Sequence, residues 1–468
     1  MTVTERDRAP EADQAVGLTD ALIGWALEAV AKPLPEEVEH HVRRLLVDYM
    51  AAVVPGSRTD VSHAVAEHVA ESYGATGRTA TAVGLGQVSA AGAAFVNGTS
   101  AHSLEVDDGY TPGSVHPSSV AFPSVLAAAE AQDADPDRTL RALAVALETV
   151  CRLAAAGHPA TWRNHFHNTP LSGVIGGALG VGVLRGLSFD DLHHALGIAA
   201  SHAGGLFAFL GKSAEVKRVH PGKAARDAVT SVDLAIAGIT GPRSILETAH
   251  GYIDAFAQDG FNAETLLGGV GERWVVLDSY VKPYPSCRHL HGPIDAVLAL
   301  RAEHGLRADE VASVTVRTYT VASHHAAVDA DSLLDAQMSI PYAVATALTH
   351  DEVGLTEFGE QARANPALRD LARRVTVVAD PDADARYPRL RPATVELRLH
   401  DGRDVAVEVP LPYGEPGNPV TDEEITAKFV RLAAPVIGTA TTEVADKLWR
   451  FTSLDILADI DLLTRAAS

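Results

Sequence analysis

The chain has 468 residues, a formal net charge of -22, 47% hydrophobic residues and only 5% aromatic ones. That length suits two domains better than one, and the acidity argues against a nucleic-acid binder, which carries a basic face. Two cysteines, Cys151 and Cys287, exclude a disulfide framework and are too few for an iron–sulfur cluster, which fits a reducing cytoplasm.

Residues 1–16 are charged and lack an apolar h-region, so they read as a flexible tail and not a signal peptide. No apolar run reaches the roughly 18 residues of a membrane span. With so few aromatics the core must be Ala, Val and Leu, which favours close-packed helices. "LTDALIGWALEAVA" and "LPEEVEHHVRRLLVDYMAAVV" read as the first two. In the second, Val38, Val42, Leu45, Leu46, Tyr49 and Met50 recur at helical spacing. Apolar helices continue to about residue 270, broken by a Gly- and Lys-rich loop before "KAARDAVTSVDLAIAGITG". Near 275 the texture changes. "ASVTVRTYTVA" alternates as a strand, "RRVTVVAD" is another, and "ATVELRLHDGRDVAVEV" is a hairpin about Asp401-Gly402. A capping box from Thr421 to Glu424 opens a return to helix. The expected fold is mainly α: a large all-helical domain (17–274 plus 411–468) with an inserted smaller α+β domain (275–410).

Four clusters could carry chemistry. In "EVDDGYTPGSVHP", carboxylates precede a turn and then His116, at the mouth of an apolar helix. This reads either as an acidic helix end or as a carboxylate setting an imidazole for proton transfer; carboxylates with one His are a weak metal signature. In "WRNHFHNTP", His165 and His167 share one side of an extended segment, just before a helix N-terminus that lowers imidazole basicity and attracts anions. In "LGKSAEVKRVHPGKAARDA", Lys212, Lys217, Arg218, His220 and Lys223 crowd a loop. On so acidic a chain that suits a carboxylate or phosphate, although a P-loop spacing is absent. In "KPYPSCRHLHGPIDA", Cys287, Arg288, His289 and His291 sit at the domain boundary. Zinc ligation and a nucleophilic Cys287 are open there, beside a substrate-facing Arg and His at an interdomain cleft.

In this order the four blocks, with "LLVDYMAAVVPG", "AQMSIPYAVATAL" and "GEPGNPVTDEEITAKF", resemble the MmgE/PrpD family over about residues 17–460. That family includes 2-methylcitrate dehydratases, cis-aconitate decarboxylases and an iminodisuccinate epimerase. The resemblance implies a helical domain holding both termini, an inserted α+β lid, a homodimer, and chemistry without metal or cofactor on a small di- or tricarboxylate. It carries the catalytic group of the decarboxylases onto Glu105, Gly109, His116, His167, Lys217 and His291. Glu105 stands in place of an Asp and Gly109 in place of a Thr. The epimerase has Tyr where this chain has His167. The expected reaction is dehydration or decarboxylation. His116, His167, Lys217, His291 and Asp107 are expected to be catalytic, with Asp107 or Glu105 fixing an imidazole. Glu105, Asp108, Gly109, His220, Arg288 and Tyr342 are expected to contact substrate. An isomerase of a related acid, or a metabolite-binding dimer without activity, are the alternatives.

Overall fold

A computed structural model describes residues 17–467 except 76, 212 and 213. The tail expected over residues 1–16 and the basic Lys212 therefore lie outside the described residues. Helix accounts for 62% of the structure and strand for 9%, so the mainly α expectation holds.

The first long helices are α1 (Leu18–Ala31), α2 (Glu36–Gly56) and α3 (Asp60–Ser72). A two-stranded antiparallel hairpin follows, β1 (Thr79–Ala82) and β2 (Gly86–Ser89). Next come α4 (Ala90–His102), α5 (Ser118–Glu130), α6 (Pro136–Gly157), α7 (Asn168–Leu184), α8 (Phe189–Ser201) and α9 (Val216–Ile236). Helix α9 packs on α4, α5 and α7, and α5 packs on α4 and α7; their small residues let them approach closely. Glycine is required where α4 crosses α9. A Cβ on Gly222 would lie 2.3 Å from the Thr99 hydroxyl and 2.4 Å from the Phe95 carbonyl oxygen. That crossing brings the start of α9 against the segment leaving α4, and so assembles the site described below.

The basic loop expected before "KAARDA" is helix instead. Helix α9 begins at Val216 and runs through Pro221, whose missing N–H costs one hydrogen bond in an early turn. Lys217 and His220 thereby share a helix face, three residues apart.

Beyond Tyr280 the chain forms α10 (His291–His304), β3 (Val311–Thr318), α11 (Ile340–Thr349), β4 (Val375–Ala379), β5 (Ala393–Leu399) and β6 (Asp404–Val409). The sheet order is β4-β3-β5-β6, with β3 and β4 parallel and the other pairs antiparallel. Val314 and Val316 of β3 and Val395 and Leu397 of β5 face a buried apolar cluster distinct from the helical core. The strand expected to reach residue 321 stops at Thr318. Asp384 accepts hydrogen bonds from the Thr320 backbone N–H at 2.7 Å and the Thr320 hydroxyl at 2.6 Å, which starts a helical turn and leaves Tyr319 buried.

The chain then returns through α12 (Asp422–Ile437), α13 (Thr441–Arg450) and α14 (Asp455–Ala466). The Thr421/Glu424 capping box is formed, and α12 packs on α2. Buried Lys428 of α12 bonds Asp48 of α2 at 2.5 Å and the Val106 carbonyl at 2.6 Å. Among the described residues no helix is long and apolar enough to cross a membrane.

Candidate active site

The segment after α4 carries Glu105, Asp107 and Asp108, each 1% exposed. Buried carboxylates demand partners, and these three find different ones. Glu105, with the left-handed φ of 56°, takes the Lys217 ammonium of α9 on one oxygen and the Lys282 ammonium at 3.3 Å on the other. Asp107 accepts a hydrogen bond from His102 Nδ1 at 2.7 Å and lies 3.7 Å from Lys282. Asp108 accepts the Ser118 N–H that opens α5 at 3.2 Å. Burial and the neighbouring Asp48 and Asp107 hold its carboxyl well above the ordinary range.

The imidazoles have assignable tautomers because a carboxylate or carbonyl can only accept. His102 donates Nδ1–H to Asp107, leaving a buried Nε2 without a partner among the described residues. His116 donates Nδ1–H to the Asp108 carbonyl at 2.7 Å, and its ring lies 4.9 Å from that of His102. His167, the residue before α7, shares a proton with His220 of α9, Nδ1 to Nδ1 at 3.2 Å, between Phe207 and Phe209. His291 accepts from Arg288 at 2.9 Å and lies with Nε2 3.3 Å from the Ser286 carbonyl, so both its nitrogens are engaged.

Burial pulls these rings down: His102 and His220 to about 4, and His167 and His291 well below the ordinary value. They are neutral at pH 7. Burial keeps the Asp107 carboxyl from falling further, yet His102, His116 and Lys282 outweigh it and Asp107 is ionised. Burial, with Lys282 beside it, lowers Lys217 well below the usual lysine range. Lys217 therefore gives up its proton more readily than an ordinary lysine.

The structure brings His116, His167, Lys217, Asp107, Glu105 and His220 together. It adds His102 and Lys282, which the sequence reading passed over although both lie inside or beside quoted blocks. His165 is exposed, with φ 67°, and turns away from His167. Arg288 has its donors spent inside the protein, on Glu415 at 3.0 Å, the Tyr413 carbonyl at 2.9 Å and His291. Tyr342 is not brought to the cluster; it is buried in the second apolar core with its hydroxyl on the Glu357 carbonyl at 2.8 Å. Gly109 exchanges backbone hydrogen bonds with Tyr280, and a Cβ on it would lie 2.2 Å from the Tyr280 hydroxyl oxygen. The Tyr280 phenol fills the space a larger residue 109 would use.

Two trios could offer metal ligands: His102, Asp107 and His116, and Cys287, His289 and His325. The first shares its carboxylate with the Lys282 ammonium, which a cation there would have to face. In the second, burial raises the Cys287 thiol, but His325, 3.9 Å from Sγ, outweighs it and brings it down to about 6. His291, expected beside Cys287 and His289, bonds Arg288 instead. On its other side Lys282 borders a cleft of about 280 Å³ lined by Tyr284, Glu352, Tyr413 and Lys428 and by no histidine.

The depressed imidazoles set a pH dependence. His102 has a folded value near 4 against an ordinary 6.5, so between those pH values the unfolded chain binds more protons and stability falls on acidification. Urea unfolding at pH 7.0 and 4.5 is expected to show wild type losing more stability than His102→Gln. Equal losses would refute the buried neutral imidazole.

Buried neutral histidines facing a lysine pair and an ionised aspartate, on a mainly helical scaffold, make a candidate acid–base site. The chain belongs to the MmgE/PrpD family: the MmgE/PrpD N-terminal domain matches residues 20–264 and the MmgE/PrpD C-terminal domain residues 284–450. It is a lyase of the MmgE/PrpD type. It is 27% identical to a cis-aconitate decarboxylase of Aspergillus terreus, over 95% of this chain and 94% of that protein. It is 26% identical to the cis-aconitate decarboxylases of Mus musculus, covering 96% and 93%, and Homo sapiens, covering 92% and 90%.

Proposed function

We propose that this protein decarboxylates a small di- or tricarboxylic acid of the cis-aconitate type, using its own histidines and lysines and no cofactor. The observation that carries the reading is the Lys217–Glu105–Lys282 group: two buried ammonium ions on one carboxylate, beside imidazoles kept neutral by burial. The relatives named as decarboxylases support the same reaction type.

In a β,γ-unsaturated acid the C–CO2 bond breaks and its electron pair forms a new double bond one position along. The old double bond's electrons then take a proton at the γ carbon. Lys282 and Lys217 hold a carboxylate by charge-assisted hydrogen bonds. Lys217, with its lowered pKa, delivers the proton. The His167–His220 pair and His116 carry the replacement proton inward, and Asp107 holds His102 with Nε2 facing the substrate. His291 acts through Arg288 as a positioning residue. Residues 275–410 serve as a lid whose closure excludes water.

Incubation with cis-aconitate, 2-methylcitrate and citrate, followed by NMR with and without chelator, tests this. The expected result is a five-carbon dicarboxylate and CO2 from cis-aconitate, unaffected by chelator. Hydration, or isomerisation without CO2, would replace decarboxylation by the alternative activity. No turnover of any of the three would overturn the reading.

A further inference from the structure

Arg391 lies two residues before β5 and is 5% exposed. It makes no hydrogen bond or ion pair with any described residue, and its Nε is buried without a partner. The other buried cations near the site have carboxylate partners: Arg288 has Glu415, Lys217 and Lys282 have Glu105, and Arg218, whose Nε is likewise unbonded, has Glu215. A guanidinium this buried, with its Nε unbonded, is costly, and proteins retain one where a ligand completes it.

The surroundings say what kind of ligand. The Arg391 carbonyl oxygen lies 3.4 Å from where a Cβ on Gly292 would stand, which sets Arg391 beside the start of α10 and His291. Its charge acts on Tyr280, Tyr319 and His289. The Tyr319 hydroxyl is bonded to His289 Nδ1 at 2.6 Å, and its ring stacks on Tyr387 at 4.4 Å. His289 in turn has a ring nitrogen within 4.8 Å of Cys287 Sγ, whose thiol feels Lys282. Of this pair, His289 feels Arg391 and Cys287 feels Lys282. Glu415, the carboxylate that acts on it, is committed to Arg288.

We infer that Arg391, with Tyr319 and His289, is the receptor for a second substrate carboxylate, distant from the one held by Lys217 and Lys282. The inference rests on the carboxylate-lyase reading and narrows it: the substrate carries anionic groups at both ends, and a monocarboxylate is a poor one. A planar fork such as Arg391 grips a carboxylate through two parallel hydrogen bonds.

Binding of unreactive acids tests it apart from turnover. Tricarballylate and the monocarboxylate butyrate are titrated calorimetrically into wild type, Arg391→Gln and Arg391→Lys. Loss of a charged hydrogen-bonded contact is worth about 10–100-fold in dissociation constant. Tricarballylate is expected to weaken by that factor in Arg391→Gln and to be partly restored in Arg391→Lys, while butyrate, with no second carboxylate, changes little. Arg391→Met, which removes an unpaired buried charge, is expected to melt at or above the wild-type temperature. Equal weakening of both acids, no weakening of either, or a lower melting temperature for Arg391→Met would each overturn the assignment. Failure of the decarboxylase reading alone would look different: wild type would bind tricarballylate in an Arg391-dependent way yet leave cis-aconitate unchanged.

Discussion

Lys217→Met is expected to lower kcat on cis-aconitate by about 10²–10⁴-fold, the range that a positioned proton donor contributes, with the fold intact. Glu105 keeps Lys282 as a partner at 3.3 Å, so no carboxylate is stranded, and methionine fills a similar space. The informative companion is Lys217→Arg. Arginine keeps the charge against Glu105 but does not release a proton near neutral pH. If Lys217 only holds a carboxylate, Lys217→Arg recovers most of the rate. If it supplies the proton, Lys217→Arg is nearly as slow as Lys217→Met while its KM stays near wild type. Steady-state kinetics of the three proteins, with circular dichroism to check folding, separates the cases.

Gly109→Thr is the second large effect. Its Cβ would stand 2.2 Å from the Tyr280 hydroxyl oxygen and 2.3 Å from the ring carbon bearing it. Tyr280 has little room to yield, since it is 4% exposed and its ring lies under the Arg288 guanidinium at 4.6 Å. Overpacking of this kind costs about 1–3 kcal/mol. The strain passes through the paired backbones of 109 and 280 to Asp107 and Asp108, so activity falls with stability. In Gly109→Thr/Tyr280→Ala the clash is gone, and chemical denaturation is expected to show the double variant more stable than the sum of the single changes. A Gly109→Thr protein that unfolds at the wild-type midpoint would disprove the exclusion of residue 109 by Tyr280.

The helices and the four-stranded sheet were legible because each follows a simple period. The alternation of β3 and β5, the Asp401-Gly402 turn and the Thr421 cap are local signals. The β1–β2 hairpin was not read, because "TATAVGLGQVS" is short and small-sided, with no large residues to mark its faces. Within the site, the conspicuous residues were legible and their partners were not. His116, His167 and Lys217 stand in recognisable blocks. His102 ends an Ala-rich helix five residues before Asp107, and only the fold shows that its ring turns back onto that carboxylate. Arg288 looked like a substrate ligand because it follows Cys287 at a boundary; the loop at 412–415 that consumes its donors is over a hundred residues away in sequence. Arg391 gave no signal at all, for an arginine beside a strand is ordinary until its lack of a partner is seen.

The bond from Lys428 to the Val106 carbonyl joins positions separated by 322 residues. During synthesis the 105–109 turn leaves the ribosome long before α12 exists to brace it. Domains are made N-terminal end first, at about 5–20 residues per second, so the turn waits on the order of tens of seconds for its brace. A nascent chain stalled short of residue 428 would hold its histidines and Lys217 already made, yet lack the prop that fixes Glu105 and Asp107 between them. The candidate site in this protein is therefore completed late in translation, when the returning helices dock.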